Sequence, residues 1–362
     1  MGPQSAGSEP GPVSYQRGGT EPTVTDADVV MGRIAPDHFL GGTMKLDKEK
    51  AEKAIKEKIA DPLGLGVLEA AESICIIIDS YMKDTVSTLF STRGMDSREF
   101  VIFAFGGAGA VHCAGYTGGL GFNKVIIPPF AATFSAFGAS TADVMHRYEG
   151  SPFTVLPNLE YDKITRLFKV KSMEGLPKED ISRFNRMYKE IEDRCYGDME
   201  AEGFGKKDVN LVYPVKMRYG GQLDEVEFIS PVNQLNTIDD LNLILSAFEK
   251  EYIKLYSEEA LYPEGGVEIM GIALQGSGTV TTPSITKKAY VGDDASPALR
   301  GDRDVYFDGK MMNSRIYEMV KLKVGNIIKG PAMIEGVDTN VIIPPGRKVT
   351  VDEYLNMVME ED

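Results

Sequence analysis

The residues with the clearest potential for chemistry lie in a glycine-rich stretch that follows an apolar run. The run from Phe100 to Phe105 stops at a Gly-Gly-Ala-Gly turn, and a histidine follows three residues later. Glycines let a backbone approach a ligand closely, and the first N–H groups of a following helix point at an anion or a ribose. The candidate nucleotide-binding residues are Gly106, Gly107, Ala108, Gly109 and His112.

Two well-known phosphate motifs do not account for this turn. The string from Gly107 to His112 has histidine where G-x-G-x-x-G/A requires a small residue, and no G-x-x-x-x-G-K-[ST] loop occurs in the chain. The sequence therefore excludes a P-loop ATPase. Two structural interpretations stay open: the glycines only permit tight packing of a helix on a sheet, and His112 is a polar helix-start residue bonded to the backbone.

A second candidate group follows the string Thr23-Val24-Thr25. Thr25, Asp26 and Asp28 could reach phosphate oxygens or Mg²⁺, which prefers one or two carboxylates together with substrate phosphates. Their alternative role is a turn or a helix cap. The three histidines, His38, His112 and His146, are far apart in sequence, so a histidine-rich metal site would need folding to assemble it, and we commit to no metal ligand.

The glycine turn sits between two predicted strands. The apolar run, a helical pattern from Val111 to Leu120 and a second apolar run from Lys124 to Pro128 predict a strand, loop, helix, strand unit of a parallel sheet. Helices are predicted for Asp47 to Ala60 and Val67 to Arg93. The small apolar residues from Ala131 to Asp143 predict a further, buried helix.

The character of the sequence changes beyond Gly150. A long surface helix from Lys178 to Gly203 is followed by a predicted hairpin around Tyr219 to Gln222 and by a helix from Ile238 to Ala260 capped by Thr237. Short β segments dominate the end of the chain. We therefore predict an α/β domain over residues 1–150 and an α+β domain over 151–362, with a small β subdomain at about 300–362.

Composition excludes several classes of partner. The 362 residues include 39 Lys and Arg against 54 Asp and Glu, a net charge of −15, which argues against nucleic acid or an anionic membrane as a partner. The three cysteines, Cys75, Cys113 and Cys195, are odd in number and lie in or beside apolar patterns. They are typical of reduced core residues in a cytoplasmic protein.

Motifs along nearly the whole chain resemble the C-terminal half of hydantoinase A/5-oxoprolinase-type proteins. Within that family, the string from Phe134 to Asp143 resembles the subunits of acetone and acetophenone carboxylase more than the amide-ring openers. The family-like strings are Gly2 to Gly7, Gly11-Pro12, Gly18 to Asp26, Phe105 to His112, Pro128-Pro129, Ala142 to Val144, Tyr219 to Gln222, Val305 to Gly309, Gly330 to Ala332 and Val341 to Gly346.

The resemblance implies half of an ATPase lobe of the sugar-kinase, actin and chaperone type, which is ribonuclease-H-like and binds ATP with Mg²⁺. The turn at Gly106 to Gly109 would then be the adenosine-binding segment. The phosphate-binding D-x-G-G-T turns of such lobes have no match, since Arg17 and Leu40 precede the two Gly-Gly-Thr strings. Met1 falls on the start of a family motif, so we expect a partner polypeptide to carry the missing N-terminal lobe.

The resemblance further implies a subunit of a biotin-independent, ATP-dependent ketone carboxylase, with a small-molecule substrate and a hydantoinase B-like partner subunit. Two alternatives stay open at this point. One is an ATP-dependent hydantoinase, 5-oxoprolinase or lactamase; the other is a scaffold subunit that has lost nucleotide binding.

Overall fold

The computed structural model of the chain describes residues 4–156, 159–164, 167–172 and 178–362. Met1 lies outside the described residues, as do Gly2 and Pro3, which begin the first family-like string. The α-helices are α1 (Val24–Val30), α2 (Lys48–Ile55), α3 (Asp61–Leu63), α4 (Val67–Thr92), α5 (Gly109–Thr117), α6 (Phe134–Thr141), α7 (Lys178–Ala201) and α8 (Ile238–Tyr256).

The strands of the described residues fall into three sheets and one two-stranded pair. They are β1 (Ile102–Phe103), β2 (Val125–Ile127), β3 (Val144–Gly150), β4 (Thr154–Leu156), β5 (Leu159–Asp162), β6 (Leu167–Val170), β7 (Val209–Val212), β8 (Pro214–Tyr219), β9 (Val226–Ile229), β10 (Val267–Gly278), β11 (Leu299–Phe307), β12 (Lys310–Glu318), β13 (Ile327–Lys329), β14 (Ala332–Glu335), β15 (Asn340–Ile343), β16 (Arg347–Val351) and β17 (Met357–Glu361).

The chain divides into two compact units. The first comprises Met1–Ser140 together with Pro283–Asp362, and the second comprises Thr141–Thr282. This division differs from the predicted consecutive domains 1–150 and 151–362. The physical reason is strand pairing, because β17 at the end of the chain forms an antiparallel ladder with β2, with Val358 opposite Ile126.

The first unit contains the predicted parallel strand, helix, strand arrangement. Strand β1 pairs with β2 in parallel, Ile102 lies opposite Val125, and α5 connects the two strands. The sheet continues through β17, β16 and β13. Its core is apolar and fully buried, and includes Ala104, Ile127, Val349 and Met359. This confirms the predicted α/β fold class.

Residues 300–362 do not form the predicted separate β subdomain. Strands β13, β16 and β17 complete the sheet that begins with β1, whereas β11, β12, β14 and β15 form a second sheet of the same unit. The glycine and proline turns that suggested a subdomain instead connect strands of two sheets. On helix α5, Val111 packs in the core beside the second sheet, and Cys113 packs in the core of the sheet that begins with β1.

A bundle of α1, α2 and α4 lies in the first unit. Their shared core contains Ala27, Met31, Ile55, Ala71 and Ile74. The predicted helix from Asp47 to Ala60 is confirmed over α2, with Asp47 as its cap, and then widens into a π-helical turn over Lys56–Ala60. The predicted helix from Val67 is confirmed as α4.

Helix α6 forms where it is predicted but is not buried. None of its residues is buried, and the ring of Phe134 stacks on Phe103 and contacts Phe105, which are 47% and 45% exposed. The prediction of burial is wrong because no described element covers this apolar surface. Exposed apolar surface of this kind is typical of an interface.

The second unit is an antiparallel sheet with two helices. Strand β10 pairs with β3, β4, β7 and β8, and β9 pairs with β8. The predicted hairpin turn is confirmed, with Gly221 at a φ of +83°. Helix α8 begins at the predicted cap, Thr237, whose hydroxyl accepts a bond from the N–H of Asp240. Among the described residues, no helix is both long and apolar enough to cross a bilayer.

Candidate functional site

A cleft of about 320 Å³ opens at the glycine turn of the first unit. Gly106 adopts a φ of +85°, which only glycine adopts readily, and its N–H donates to the carbonyl of Ala131 at 2.8 Å. The hydroxyl of Thr339 donates to the carbonyl of Gly107 at 3.1 Å. The loop after β14 therefore holds the turn open at the mouth of the cleft.

The predicted nucleotide residues are partly brought together. Gly107, Ala108 and His112 line the cleft, and Gly106 and Gly109 flank them in the turn. Thr25, Asp28 and His38 also line the cleft. The other walls are mainly apolar and aromatic, and include Tyr15, Ile34, Phe39, Leu40 and Val111.

Asp26 is fully buried and its carboxylate has its partners within the chain. Oδ2 accepts bonds from the N–H of Val13 at 3.1 Å and from the N–H and the hydroxyl of Thr23 at 2.8 and 2.9 Å. Oδ1 accepts a bond from the N–H of Ser14 at 2.8 Å. These contacts are those of a helix cap, the alternative role, and they leave no oxygen of Asp26 facing a ligand.

His112 lies between two carboxylates. Its Nε2 is 3.1 Å from Oδ2 of Asp28 on α1, and its Nδ1 is 2.9 Å from Oδ1 of Asp79 on α4. Burial alone would lower the pKa of His112, but the hydrogen bonds to the two aspartates outweigh it and raise the pKa to about 9. Because both ring nitrogens are engaged, the ring is oriented by side chains rather than by the backbone.

Asp28 also contacts two further side chains. The thiol of Cys75 on α4 lies 3.6 Å from Oδ1 of Asp28, and Nη1 of Arg33 lies 3.6 Å from the same oxygen. Desolvation and the nearby charge of Asp28 raise the pKa of the Cys75 thiol well above its ordinary value. Helices α1, α4 and α5 therefore converge on one buried polar cluster.

The sequence identified Asp28 and His112 only as separate candidates and missed the other members of this cluster. Cys75 was assigned to the core, where it lies, but its aspartate neighbour was not foreseen. Asp79 carries no local signal beyond an acidic residue on a long helix. His38 lines the same cleft, whereas His146 belongs to the second unit and pairs with Glu202 at 3.0 Å.

The charges around the cleft favour the base and the ribose of a nucleotide over its phosphates. The described residues that line it include Asp28 and Asp338 but no lysine or arginine. A triphosphate requires lysine, arginine or metal ions around its charged oxygens. Aromatic and apolar walls with backbone polar groups suit a base and a ribose instead.

Sequence models of known families match both parts of the chain. The hydantoinase/oxoprolinase model matches residues 1–148, and the model of the hydantoinase/oxoprolinase C-terminal domain matches residues 175–361. The chain belongs to the hydantoinase/oxoprolinase family. The predicted family is therefore confirmed.

Curated relatives of this hydantoinase/oxoprolinase chain include enzyme subunits of two reaction types. The acetophenone carboxylase gamma subunit of Aromatoleum aromaticum is 36% identical, over 99% of this chain and 47% of the relative. The acetone carboxylase beta subunit of Xanthobacter autotrophicus is 34% identical, over 98% and 48%. The caprolactamase alpha subunit of Pseudomonas jessenii is 29% identical, over 97% and 48%. The chain thus spans about half the length of these relatives.

Solved structures agree with this membership. A nucleotide-free structure of acetone carboxylase matches with a TM-score of 0.81 at 33% identity, and covers all of this hydantoinase/oxoprolinase chain and 49% of the solved chain. The ATP-dependent caprolactamase from Pseudomonas jessenii matches with a TM-score of 0.75 at 27% identity, over 99% and 50%.

Proposed function

We propose that this chain is a subunit of a biotin-independent, ATP-dependent carboxylase that acts on a ketone, and that it contributes the adenosine side of the ATP site. The observation that carries the proposal is the cleft at Gly107 and Ala108, at the carboxyl end of β1, which forms a parallel pair with β2 in a mixed sheet. Ligands of α/β sheets bind at such ends. The similarity to acetophenone and acetone carboxylase subunits supports the choice of substrate class.

Each part of the cleft has a role in this proposal. Gly107 has no side chain and an ordinary φ, so its backbone can contact a sugar or a base directly. The rings of Tyr15 and Phe39, 5.6 Å apart, belong to the cleft's aromatic wall and offer faces against which a base can pack. Thr25 supplies a hydroxyl at the cleft. The volume of about 320 Å³ suits a nucleoside better than a whole nucleoside triphosphate.

In this proposal, a partner polypeptide that carries the D-x-G-G-T lobe binds the phosphates of ATP and the Mg²⁺. Phosphoryl transfer requires cations around the transferred group, and the described cleft residues include no lysine or arginine. Phosphoryl transfer would activate bicarbonate or the enolate of the substrate. The role of this chain is to hold and orient the nucleotide while the partner neutralises its phosphates.

The sheet of the first unit supports a partner of this kind. Strand β1 is at the edge of its sheet and pairs with β2 alone among the described strands. Parallel strands are normally covered on both faces, yet Phe103 on β1 and Phe105, two residues further along the chain, are about half exposed. A lobe that continues the sheet and covers these rings would satisfy both features. A hydantoinase B-like subunit completes the proposed complex.

The competing enzymatic function is an ATP-dependent cyclic amide hydrolase, which the similarity to caprolactamase favours. The assembled, natively purified complex separates the two reactions. We expect a ketone to be converted with ATP-dependent incorporation of labelled bicarbonate into the product. Ring opening of a lactam, hydantoin or oxoproline at full rate, with no label in the product, would refute the carboxylase proposal.

A scaffold role without nucleotide is the remaining alternative. It predicts that the assembled complex binds ATP equally well when the cleft of this chain is filled by a side chain. Equilibrium binding of a fluorescent ATP analogue to the complex, with Gly107 intact and with Gly107→Val, distinguishes the roles. Unchanged affinity would support the scaffold.

A further inference from the structure

We infer that Asp28, Cys75 and His112 bind a transition-metal dication of the zinc type. One ligand atom from each residue, a carboxylate oxygen, Sγ and a ring nitrogen, lies within 4.8 Å of the other two, and all three residues are buried. His112 Nε2 lies 3.1 Å from Oδ2 of Asp28, and Cys75 Sγ lies 3.6 Å from Oδ1 of the same carboxylate. Tetrahedral zinc with bonds of about 2.0 to 2.3 Å places neighbouring ligand atoms roughly 3.3 to 3.6 Å apart.

Asp79 contacts the ring nitrogen of His112 that does not face Asp28 and Cys75, as expected for a carboxylate that supports a metal-bound histidine. Histidines that bind metals usually donate their second ring N–H to a carboxylate, which fixes the tautomer and the ring orientation. Asp79 occupies that position, with Oδ1 2.9 Å from Nδ1. Nε2 is thereby left to face Asp28 and Cys75 as the ligating nitrogen.

The chemistry of the donor set selects the class of metal. A thiolate and an imidazole are ligands for zinc, cobalt or similar ions, whereas Mg²⁺ prefers oxygen atoms and several waters. With the thiol ionised, the two positive charges of the metal and the guanidinium of Arg33, which lies 3.6 Å from Asp28, together balance the negative charges of Asp28, Cys75 and Asp79. Metal binding would thus leave a buried cluster without net charge, which burial favours.

The arrangement leaves room for a further ligand on one side. Asp28 and His112 both line the cleft, so a fourth coordination position can be taken by water or by a group bound in the cleft. Three protein ligands with one open position are typical of zinc sites that interact with ligands, in contrast to closed structural sites. The inference rests on these three side chains and does not depend on the proposed carboxylase activity.

Cobalt(II) provides a direct test, because a thiolate ligand gives a near-ultraviolet charge-transfer band and a tetrahedral site gives intense visible bands. The full chain is stripped with a chelator and titrated with Co²⁺ and, in competition, with Zn²⁺. We expect saturable bands that Zn²⁺ abolishes and that excess Mg²⁺ leaves unchanged.

Variants assign the bands to this site. Cys75→Ala and Cys75→Ser should lose the charge-transfer band, and His112→Gln should weaken Co²⁺ binding at least tenfold. Cys113→Ala is the matched control, because Cys113 is also a buried thiol but donates to the carbonyl of Ala110. Circular dichroism identifies variants that fail to fold. Absence of the bands in the wild-type chain, or their persistence in both folded Cys75 variants, would overturn the inference.

Discussion

Oδ1 of Asp79 lies 2.9 Å from Nδ1 of His112, and this approach depends on Gly115. Gly115 lies on α5 one turn after His112, and a Cβ atom added to it would overlap the carboxylate of Asp79. Helices α4 and α5 can therefore bring the aspartate to the histidine only while position 115 has no side chain.

Replacing Gly115 by alanine should displace Asp79 from His112. We expect the affinity for Co²⁺ to fall by about 10- to 100-fold, the range typical when a carboxylate behind a metal-bound histidine is lost. The charge-transfer band should remain, because Cys75 is unchanged. Titration of the chelator-stripped full chain with Co²⁺ measures both properties.

Gly197→Ala is the control for this substitution. Gly197 also lies in a helix, α7, but a Cβ atom there would meet nothing within 4 Å. The change should stabilise the chain by roughly 0.5 to 1 kcal/mol through helix propensity and leave metal affinity unchanged. Equal losses of Co²⁺ affinity in the two variants would contradict the role given to Gly115.

The exposed ring of Phe103 should contribute to binding of the partner rather than to folding. Phe103→Thr keeps a strand-forming residue at a position that is 47% exposed. Burial of the exposed half of a phenylalanine is worth about 2 kcal/mol, so complex formation should weaken roughly thirtyfold. Analytical ultracentrifugation of the mixed subunits gives the dissociation constant, and thermal unfolding of the variant should remain close to wild type.

Leu223→Ser tests whether any exposed apolar residue would have the same effect. Leu223 is 93% exposed and lies in the hairpin turn of the second unit, whereas β1 belongs to the first unit. Its replacement should leave the dissociation constant unchanged. A thirtyfold weakening from Leu223→Ser, or none from Phe103→Thr, would contradict the proposed interface.

The sequence predicted local structure well where the residues within an element, or directly beside it, determine that element. The apolar run, glycine turn and following helix predicted the parallel pair β1 and β2, and Thr237 was correctly predicted as the cap of α8. The small apolar residues from Ala131 to Asp143 predicted a helix and its burial together. Only the helix formed, because burial requires a covering surface that the described chain does not contain.

The polar cluster could not be predicted, because its members come from separate elements. Asp28 and His112 are 84 residues apart, and Cys75 lies between them on a third helix. No spacing rule connects positions that only tertiary packing brings together. The place of β17 beside β2 has the same cause, since a short apolar strand near the end of a chain does not indicate which sheet edge it joins.

Glu249 should make the stability of the second unit depend on pH. It is completely buried, Oε2 accepts a bond from the N–H of Phe168 at 2.8 Å, and burial raises its pKa from 4.5 to about 7. Because the folded pKa is raised, the stabilising contribution is complete below pH 4.5 and is lost as the pH rises through about 7. The loss should be on the order of 3 kcal/mol.

Denaturant unfolding of the full chain between pH 4.5 and 8 measures this dependence. Glu249→Gln should flatten the curve, because the amide is neutral and its carbonyl oxygen can still accept from Phe168. Glu200→Gln, an exposed change on α7, should leave the slope unchanged. A pH slope that persists in Glu249→Gln would show that other groups are responsible.

The most direct test of the proposed function is the effect of a filled cleft on the assembled enzyme. Gly107 has an ordinary φ and a new Cβ would lie 3.7 Å from the carbonyl of Asp338, so Gly107→Val should fold while its methyl groups occupy the nucleotide position. Gly197→Val is the control. We expect the wild-type complex to incorporate labelled bicarbonate in an ATP-dependent reaction. Gly107→Val should lower the rate of incorporation at least tenfold through a higher KM for ATP. Gly197→Val should leave the rate unaffected. Full activity and an unchanged KM for ATP in the Gly107→Val complex would contradict the assignment of the adenosine site to this chain.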